Sequence, residues 1–462
     1  MSDASKNTLR SLNPATDALV AEYAVMSEAE VDDALARATE AQAQWSRTTD
    51  FEARAAVLTR AAEGLEADRE ALAALMTAEM GKPIAQGRSE VDKCAWVCRY
   101  YARNAASQLA SEPIETEFSR SYVAFRPLGL VLAVMPWNFP LWQVFRFAAP
   151  ALMAGNGGVL KHASNVMGCA LAIERIFSDA GAPSGLFTAL RIGSDRVEAV
   201  IEDRRIAAVT LTGSTPAGRA VASAAGRALK KTVLELGGSD PYVLLEDADI
   251  EHAAKQCVAS RLINSGQSCI AAKRFIVPRS IHAAFVEAVV SEMSARTLGD
   301  PTRDGTDIGP QARTDLRDEL HAQVLASVAA GAKLRLGGEC PTGPGAFYPA
   351  TVLDEVGPGM PAYDEELFGP VAAILPVADE TEALRVANDT EFGLGAAIFT
   401  RDHARGETLA REQLDAGACF VDDFVRSDPR LPFGGIGASG YGRELAAFGI
   451  REFVNIKTVV VR

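Results

Sequence analysis

The chain has 462 residues, of which 48% are hydrophobic and 23% charged, and its formal net charge is −14. This acidic balance argues against nucleic-acid binding, which needs clustered lysine and arginine, and the length predicts two or three domains. The polar stretch 1–7 has no apolar segment of a signal peptide, and seven cysteines without regular spacing indicate a reducing cytoplasm rather than a disulfide framework.

Helices are predicted for the first part of the chain. Ser27 and Glu30 have the spacing of a capping box at a helix N-terminus. Apolar residues follow at helical spacing: Val31, Leu35, Ala38 and Trp45. A second helix is predicted from about Phe51 to Met80, ended by Gly81 and Pro83.

The next segment predicts a two-stranded ribbon. A polar corner at 113–118 precedes the β-prone run 121–126. Two strands alone are only marginally stable, so we expect the ribbon to pack on another part of the molecule or on a partner subunit. The C-terminal run 453–461 is strongly β-prone and can join it.

Short apolar runs then alternate with helical segments. The runs are 130–135, 158–161, 207–211, 242–245, 274–277 and 371–375. This alternation predicts parallel sheets with crossover helices, and its renewal after Gly237 and Gly238 predicts a second α/β domain. The longest uncharged run, 127–145, is interrupted by prolines and predicts a buried strand and a loop rather than a membrane span.

Cys269 is the candidate nucleophile. It lies in the small polar stretch 264–270, where backbone N–H groups can approach a thiol, and the thiolate is the reactive form of cysteine. A lone cysteine is more often a small buried hydrophobic residue. The neighbouring Gly266 and Gln267 favour the catalytic interpretation for this one.

Two further polar residues are candidates for the same chemistry. Glu235 lies between apolar residues before a glycine pair, where partial burial raises the pKa of a carboxyl group toward that of a useful base. Asn138, in a loop with two prolines, can donate its amide to a developing oxyanion. An ordinary surface glutamate and a turn asparagine are the alternatives.

The segment 213–218 follows a predicted strand and opens a helix. It lacks the full G-x-G-x-x-G pattern, but a glycine turn, two hydroxyl groups and a helix N-terminus suit a phosphate.

No metal site is expected, because the five histidines are dispersed and the spacing of Cys94 and Cys98 is typical of core packing.

Together these elements resemble the aldehyde dehydrogenase superfamily over nearly the whole chain. The matching segments occur in the family's order at 136–140, 235–238, 266–269, 366–370 and 432–435. The segment 161–168 and the short length are most similar to the bacterial succinate-semialdehyde dehydrogenases of the shorter type.

The resemblance implies an α/β fold with a Rossmann-like cofactor domain, an α/β catalytic domain and a small β oligomerisation arm. The cofactor domain is expected to comprise 1–110 and 128–237, the catalytic domain 238–447, and the arm 111–127 and 448–462. It also implies a cytoplasmic homodimer or homotetramer that binds a small aldehyde, with no nucleic-acid or membrane partner.

The resemblance further implies oxidation of an aldehyde with NAD or NADP. Cys269 attacks the aldehyde, and Asn138 holds the oxyanion of the thiohemiacetal together with backbone N–H. A hydride passes to the nicotinamide, and Glu235 activates the water that hydrolyses the thioester.

Eight positions match cofactor contacts of the family. They are Trp137, Lys161, Ser164, Gly213, Ser214, Leu236, Glu366 and Phe368. Glu366 matches the residue that holds the nicotinamide ribose, and Lys161 matches the contact to the adenosine ribose. Many relatives that prefer NAD carry an acid where this chain has Ser164, so use of either cofactor is expected.

Two other positions depart from relatives. Some succinate-semialdehyde dehydrogenases have a second cysteine two residues after the nucleophile, and Ala271 here predicts that no inhibitory disulfide forms with Cys269. The usual lysine after the Phe-Gly-Gly-x segment is Gly437, which the sequence does not explain.

Arg146 and Ser427 match positions that bind the remote carboxylate of succinate semialdehyde in relatives. The alternative for Arg146 is an ion pair on a helix surface. A third arginine of some relatives is Ile263 here, and Arg261 is expected to be misplaced for that role.

The leading hypothesis is NAD(P)-dependent oxidation of succinate semialdehyde or a similar ω-carboxy aldehyde. A dehydrogenase of apolar or aromatic aldehydes, a relative that transfers the acyl group to coenzyme A, and a non-catalytic protein on the same scaffold are the alternatives.

Overall fold

The computed structural model describes residues 8–462, so the prediction made for 1–7 lies outside the described residues. Its helices in chain order are α1 (Glu28–Thr48), α2 (Phe51–Ala67), α3 (Arg69–Met80), α4 (Ile84–Gln108), α5 (Trp142–Met153), α6 (Met167–Asp179), α7 (Val197–Glu202), α8 (Thr215–Arg227), α9 (Ile250–Leu262), α10 (Arg279–Ser294), α11 (Thr314–Ala329), α12 (Pro361–Asp364), α13 (Glu380–Asn388), α14 (His403–Glu412) and α15 (Ala446–Glu452).

The strands form four sheets. In chain order they are β1 (Thr8–Leu12), β2 (Leu19–Ala24), β3 (Glu112–Pro113), β4 (Arg120–Pro127), β5 (Leu130–Met135), β6 (Gly157–His162), β7 (Phe187–Ala189), β8 (Ile206–Thr212), β9 (Lys231–Glu235), β10 (Pro241–Leu244), β11 (Arg274–Pro278), β12 (Lys333–Leu336), β13 (Thr351–Asp354), β14 (Val371–Val377), β15 (Gly395–Phe399), β16 (Ala418–Val421), β17 (Gly440–Tyr441) and β18 (Val454–Val461).

A six-stranded sheet has the order β17-β9-β8-β5-β6-β7. All neighbours are parallel except β17, which runs antiparallel to β9. From the central β5 the chain continues to β6 and β7 on one side, and then to β8 and β9 on the other. The loops after β5 and β8 therefore meet at a switch point, where open α/β sheets bind their ligands.

A seven-stranded sheet has the order β12-β13-β14-β11-β10-β15-β16 and is parallel except for β12. Its side chains alternate between two apolar clusters: Tyr242 and Leu244 face one, whereas Val243 and Leu245 face the other. Alternation with a period of two is the geometry of a strand covered on both faces. The α/β class and the six predicted central strands are confirmed.

The predicted ribbon is confirmed, and the C-terminal run joins it as expected. β3 pairs with β4, and the C-terminal β18 pairs antiparallel with β4 from Val454↔Pro127 to Val461↔Arg120. The result is a three-stranded sheet in the order β18-β4-β3. The domain boundaries proposed above stay a prediction.

The predicted capping box is confirmed at the start of α1. Ser27 Oγ accepts a hydrogen bond from Glu30 N at 3.2 Å, and the Glu30 carboxylate accepts from Ser27 N at 2.7 Å.

Two local predictions were wrong. The single helix predicted from Phe51 to Met80 is broken at Asp68, whose N–H turns back to the carbonyls of Gly64 and Glu66.

The second difference concerns the N-terminal part, where the helical prediction overlooked the antiparallel hairpin of β1 and β2.

Among residues 8–462, no helix combines the length and the apolar character needed to cross a membrane.

Candidate active site

Cys269 lies between two cavities. One, of about 380 Å³, is bounded by Phe139, Trp142 and Phe433 on its apolar side. The other, of about 290 Å³, opens at the switch point of the six-stranded sheet. Cys269 lines both, so a molecule in either cavity can reach the same sulfur atom.

Most of the predicted cofactor residues line the second cavity. They are Trp137, Gly213, Ser214, Leu236, Glu366 and Phe368, and Asn138 lies with them. The first cavity contains the two predicted substrate contacts, Arg146 and Ser427. Lys161, Ser164 and Glu235 line neither cavity.

The loop before Cys269 has an unusual backbone. Asn264, Ser265 and Gly266 have φ angles of 54°, 56° and 79°, in the left-handed region that costs free energy for non-glycine residues. At Gly266 a Cβ atom would lie 2.2 Å from the backbone of Gly369, so only glycine fits. This tight packing fixes the position from which the thiol is presented.

Buried side chains support the same loop. Asn264 Nδ2 donates to the carbonyls of Asn138 at 2.7 Å and Gln267 at 3.1 Å. Arg261 donates to Gly266 O at 2.6 Å. These contacts join α9, the loop after β5 and the cysteine loop into one rigid unit.

Burial raises the pKa of the Cys269 thiol to about 12, while the nearby charges of Lys273 and Arg146 oppose the rise. Lys273 Nζ donates to Cys269 O at 2.7 Å and to Ser268 O at 3.1 Å. The thiol is therefore protonated at neutral pH in this state, and deprotonation must accompany its attack on a substrate. Cys269 forms no disulfide, and Ala271 beside it is buried.

Asn138 is placed as an amide donor. Its Nδ2 donates to Gln267 O at 3.1 Å, which uses one of the two amide hydrogens. The second hydrogen stays available at the wall of the cavity that Cys269 also lines. Both residues can thus face the oxygen of a carbonyl group attacked by the sulfur.

Glu235 ends β9 and is almost completely buried, and neither carboxylate oxygen has a hydrogen-bond partner within residues 8–462. Burial raises the pKa of Glu235 well above its ordinary value; Glu444 adds to the rise, and Arg146 opposes it. A glutamate in this environment has the properties of a general base that works near neutral pH.

Arg146 lies on α5 and is buried. It forms an ion pair with Glu444, donates to Thr212 Oγ1 at 3.2 Å and lies over the ring of Phe433. The side chain is thus neither exposed nor solvated, and its charge is already paired. It lines the first cavity from within this cluster.

The N-terminus of α5 is held by α4. Glu90 Oε1 accepts from the N–H groups of Leu141 and Trp142, both at 2.9 Å, and the other carboxylate oxygen pairs with the buried Lys82. A carboxylate at this end of a helix satisfies orphan donors and complements the helix dipole. This contact positions α5, the helix that carries Arg146 and that begins just after the loop with Asn138.

The cofactor side is built around the N-terminus of α8. Ser214 is its N-cap residue and makes no side-chain cap, so the N–H groups of Thr215 and Ala217 at the start of this 13-residue helix can receive a phosphate, whereas Pro216 between them has none. At Gly218 a Cβ atom would lie 2.5 Å from the Leu236 side chain. The close packing of helix on strand that nucleotide-binding folds require is therefore present.

Glu366 and Phe368 lie at the other wall of the second cavity. The Phe368 ring packs edge-on against Trp137, with centroids 5.8 Å apart. Glu366 accepts from Gly238 N at 3.2 Å and pairs with Lys273 at 3.2 Å. Because Lys273 also binds the Cys269 carbonyl, it connects the predicted ribose contact with the nucleophile loop.

Lys161 and Ser164 lie beyond the second cavity, at the end of β6 and at the start of the following 3-10 turn. Burial lowers the pKa of Lys161, and Asp195 opposes the shift. No acidic residue occupies position 164, in agreement with the sequence. Both side chains lie along the edge of the sheet at which the cofactor cavity opens.

Gly437, unexplained by the sequence, has a structural reason. Its φ is 60°, and a Cβ atom would lie 2.6 Å from the carbonyl oxygen of Glu391. A lysine at this backbone position would therefore be both strained and obstructed.

His162 connects β6 with the Asn138 loop. Its Nε2 donates to Pro140 O at 2.8 Å, because a carbonyl oxygen can only accept, and its Nδ1 lies 3.0 Å from Ala163 N and 3.2 Å from Met135 O. Burial lowers the pKa of His162 from 6.5 to about 4. The imidazole is therefore neutral in the folded protein at every pH above about 4.

We expect this histidine to weaken the fold in mild acid. Below pH 6.5 the unfolded chain binds a proton that the folded chain excludes, so stability is complete above 6.5 and decreases as the pH falls toward 4. From pH 7 to 5 the loss is about 2 kcal/mol. Urea unfolding of the wild type and of His162→Asn at both pH values tests this. The variant lacks the imidazole, so its free energy of unfolding should decrease less between the two pH values than that of the wild type. An equal decrease in both proteins would contradict it.

Several charged residues of the site were missed from the sequence. Lys273 lies four residues after Cys269 and could have been considered together with that segment. Glu444 and Lys93 come from distant elements and carried no local signal; Lys93 Nζ donates to Ser427 Oγ at 2.8 Å.

Comparisons with known proteins agree with this geometry. The model of the aldehyde dehydrogenase family matches residues 1–459. A protein of Synechocystis sp. (strain ATCC 27184 / PCC 6803 / Kazusa), a probable NADP(+) succinate-semialdehyde dehydrogenase, is 51% identical over 98% of this chain and 99% of its own. The NAD(P)+ succinate semialdehyde dehydrogenase of Escherichia coli (strain K12) is 49% identical over 97% of both chains.

A solved structure shows the same architecture. The succinic semialdehyde dehydrogenase of Streptococcus pyogenes, in complex with NADP+, has a TM-score of 0.96 and 38% sequence identity, and the match covers 98% of this chain and 99% of the other.

Proposed function

Because the chain belongs to the aldehyde dehydrogenase family, we propose that it oxidises succinate semialdehyde, or a similar ω-carboxy aldehyde, to the carboxylic acid with NAD or NADP. The observation that carries this proposal is the position of Cys269 at the wall shared by two cavities. One cavity holds the aldehyde and the other the cofactor, and the sulfur lies where they meet.

The reaction has two covalent stages on Cys269. The sulfur adds to the aldehyde carbon as the thiol proton passes to solvent water, and the Asn138 amide donates to the oxyanion of the thiohemiacetal. Bound NAD(P) would accept a hydride from that carbon, which leaves a thioester. Glu235 then takes a proton from water, the water oxygen attacks the thioester carbon, and the acid leaves as the C–S bond breaks.

The residues of the second cavity suit a dinucleotide. The α8 N-terminus with Gly213 and Ser214 would hold the pyrophosphate, and Glu366 would hold the nicotinamide ribose. The neutral Ser164 does not repel a 2′-phosphate, and Lys161 lies on the same sheet edge. This supports use of NADP as well as NAD.

Arg146 and Ser427 are proposed to face the acidic end of the substrate, since both line the cavity that would hold the aldehyde. The enzyme is also proposed to act in the cytoplasm as a homodimer or homotetramer. The three-stranded sheet supports the oligomer, because Ile456, Val460 and Ile114 are exposed on it and its vicinity.

A kinetic panel tests the substrate. We expect kcat/KM for succinate semialdehyde to exceed that for hexanal by at least about 30-fold, because a buried charge-assisted contact to the remote carboxylate adds to binding. Formation of reduced nicotinamide is followed with NAD and with NADP. Equal or reversed preference would support the dehydrogenase of apolar aldehydes, and a requirement for coenzyme A in product formation would support the acylating alternative.

A further inference from the structure

Four cationic side chains line the cavity proposed to hold the aldehyde: Lys93, Arg146, Arg296 and Arg426. Three of them are already paired with a carboxylate of the protein. The pairs are Arg146 with Glu444, Arg296 with Glu292 at 3.1 Å, and Arg426 with Asp423. A paired cation has less to gain from a second anion than one whose charge is uncompensated.

Lys93 is the exception. Within residues 8–462 it forms no ion pair, and its ammonium group donates only to Ser427 Oγ, at 2.8 Å. Its Nζ also lies 4.4 Å from the ring centroid of Trp142, a cation–π contact. Two acidic residues also line this cavity: Glu90 is neutralised by Lys82 and by two backbone donors, and Asp307 accepts from Thr297 N at 2.8 Å.

The electrostatic environment favours an anion beside this lysine. Burial, together with the positive charge of Arg146, lowers the pKa of Lys93 to about 8. Its ammonium form is therefore less stable in the cavity than in water, and an arriving carboxylate would stabilise it. Trp142, Arg146 and Ser427 restrict the position of the ammonium group, so little side-chain entropy is lost on binding.

We propose that Lys93 binds the remote carboxylate of the substrate, with Ser427 Oγ as a second contact. This inference rests on the proposed function and deepens it: Lys93 is the residue that determines specificity for an ω-carboxy aldehyde. Arg146 contributes its positive field from the cluster with Glu444, and the direct ion pair is made by Lys93. The ligand class is a short aliphatic aldehyde with a terminal carboxylate.

The test compares two aldehydes in Lys93→Met, whose side chain preserves the packing against Trp142. The ratio of kcat/KM for succinate semialdehyde to that for hexanal is expected to fall about 30-fold, mainly through a higher KM for the acidic substrate, because the lost contact is present before and during the reaction. Lys93→Arg is expected to keep most of the ratio. An unchanged ratio in Lys93→Met overturns the proposal.

Further variants keep the test decisive. Lys255→Met, an exposed lysine of α9, is the matched control and should leave the ratio unchanged. If circular dichroism shows that Lys93→Met is unfolded, Lys93→Gln takes its place. Lys93 and Ser427 share one contact with the substrate. The double variant Lys93→Met/Ser427→Ala should therefore lose less transition-state binding free energy than the sum of the losses in the two single variants. Additive losses would contradict the shared contact.

The wild-type panel separates this inference from the proposed function. If the wild type does not prefer succinate semialdehyde, the proposed substrate is wrong. If the wild type prefers it and Lys93→Met retains that preference, the substrate stands and the role of Lys93 is wrong.

Discussion

Replacement of Cys269 by alanine is expected to reduce aldehyde oxidation by a factor on the order of 10⁶, the size of loss that follows removal of a nucleophile from a covalent mechanism. Cys269 is the sulfur that lines both cavities, and Cys94, Cys98, Cys169 and Cys257 are buried elsewhere in the core. No other thiol can take its place. Initial rates of formation of reduced nicotinamide at saturating aldehyde measure the loss.

The effect should be confined to chemistry. Alanine removes one sulfur atom and leaves the hydrogen bonds of the loop, which come from Asn264, Arg261 and Lys273 to backbone carbonyls. We therefore expect unchanged cofactor affinity in a fluorescence titration. Cys340→Ala, a partly exposed cysteine outside both cavities, is the matched control and should keep full activity. Residual activity above a few per cent in Cys269→Ala would contradict the assigned role.

The sequence predicted the chemistry of the site better than its electrostatics. Cys269, Glu235 and Asn138 stand beside glycine and proline residues whose backbone constraints are local, so a short segment indicates each of them. Arg146 was predicted as a substrate contact from the resemblance to relatives. Its pairing with Glu444 joins α5 to a segment about 300 residues later, and no local pattern encodes such a contact.

The differences in the fold have a similar cause. The apolar pattern of residues 51–80 is continuous, so the break at Asp68 carries no hydrophobic signal, and it is visible only in the backbone that turns back to Gly64 and Glu66. The hairpin of β1 and β2 is stabilised partly by contacts with the turn before α6, where Ser11 Oγ donates to Asn165 O at 2.8 Å. Tertiary contacts of this kind override weak local propensity.

Replacement of Glu235 by glutamine is expected to separate the two stages of the reaction. Formation of the thioester needs Cys269 and the cofactor, whereas its hydrolysis needs a base to activate water. The first turnover should therefore give a burst of about one reduced nicotinamide per active site, followed by a steady state about 10²–10⁴-fold slower than the wild type. Rapid mixing measures the burst, and mass spectrometry should detect the acyl group on Cys269.

Glutamine is a close substitute for this carboxyl group. Both oxygens of Glu235 lack hydrogen-bond partners within the described chain, so the amide replaces the carboxyl group without breaking a hydrogen bond. Only the proton-accepting function is lost. Glu40→Gln, a surface substitution on α1, is the matched control and should show neither burst nor slowing. An unimpaired steady state in Glu235→Gln would refute the role of Glu235 as the base.

The dependence of deacylation on pH provides an independent check. The base must be ionised to accept a proton, and burial raises the pKa of Glu235, so the hydrolysis of the wild-type acyl-enzyme should accelerate as the pH rises. In Glu235→Gln no carboxylate remains to ionise at this position, and the residual hydrolysis should lose that acceleration. If the slow hydrolysis of the variant kept the wild-type pH profile, the ionising group would be another residue, and Glu444, whose charge acts on Glu235, would be the first to replace.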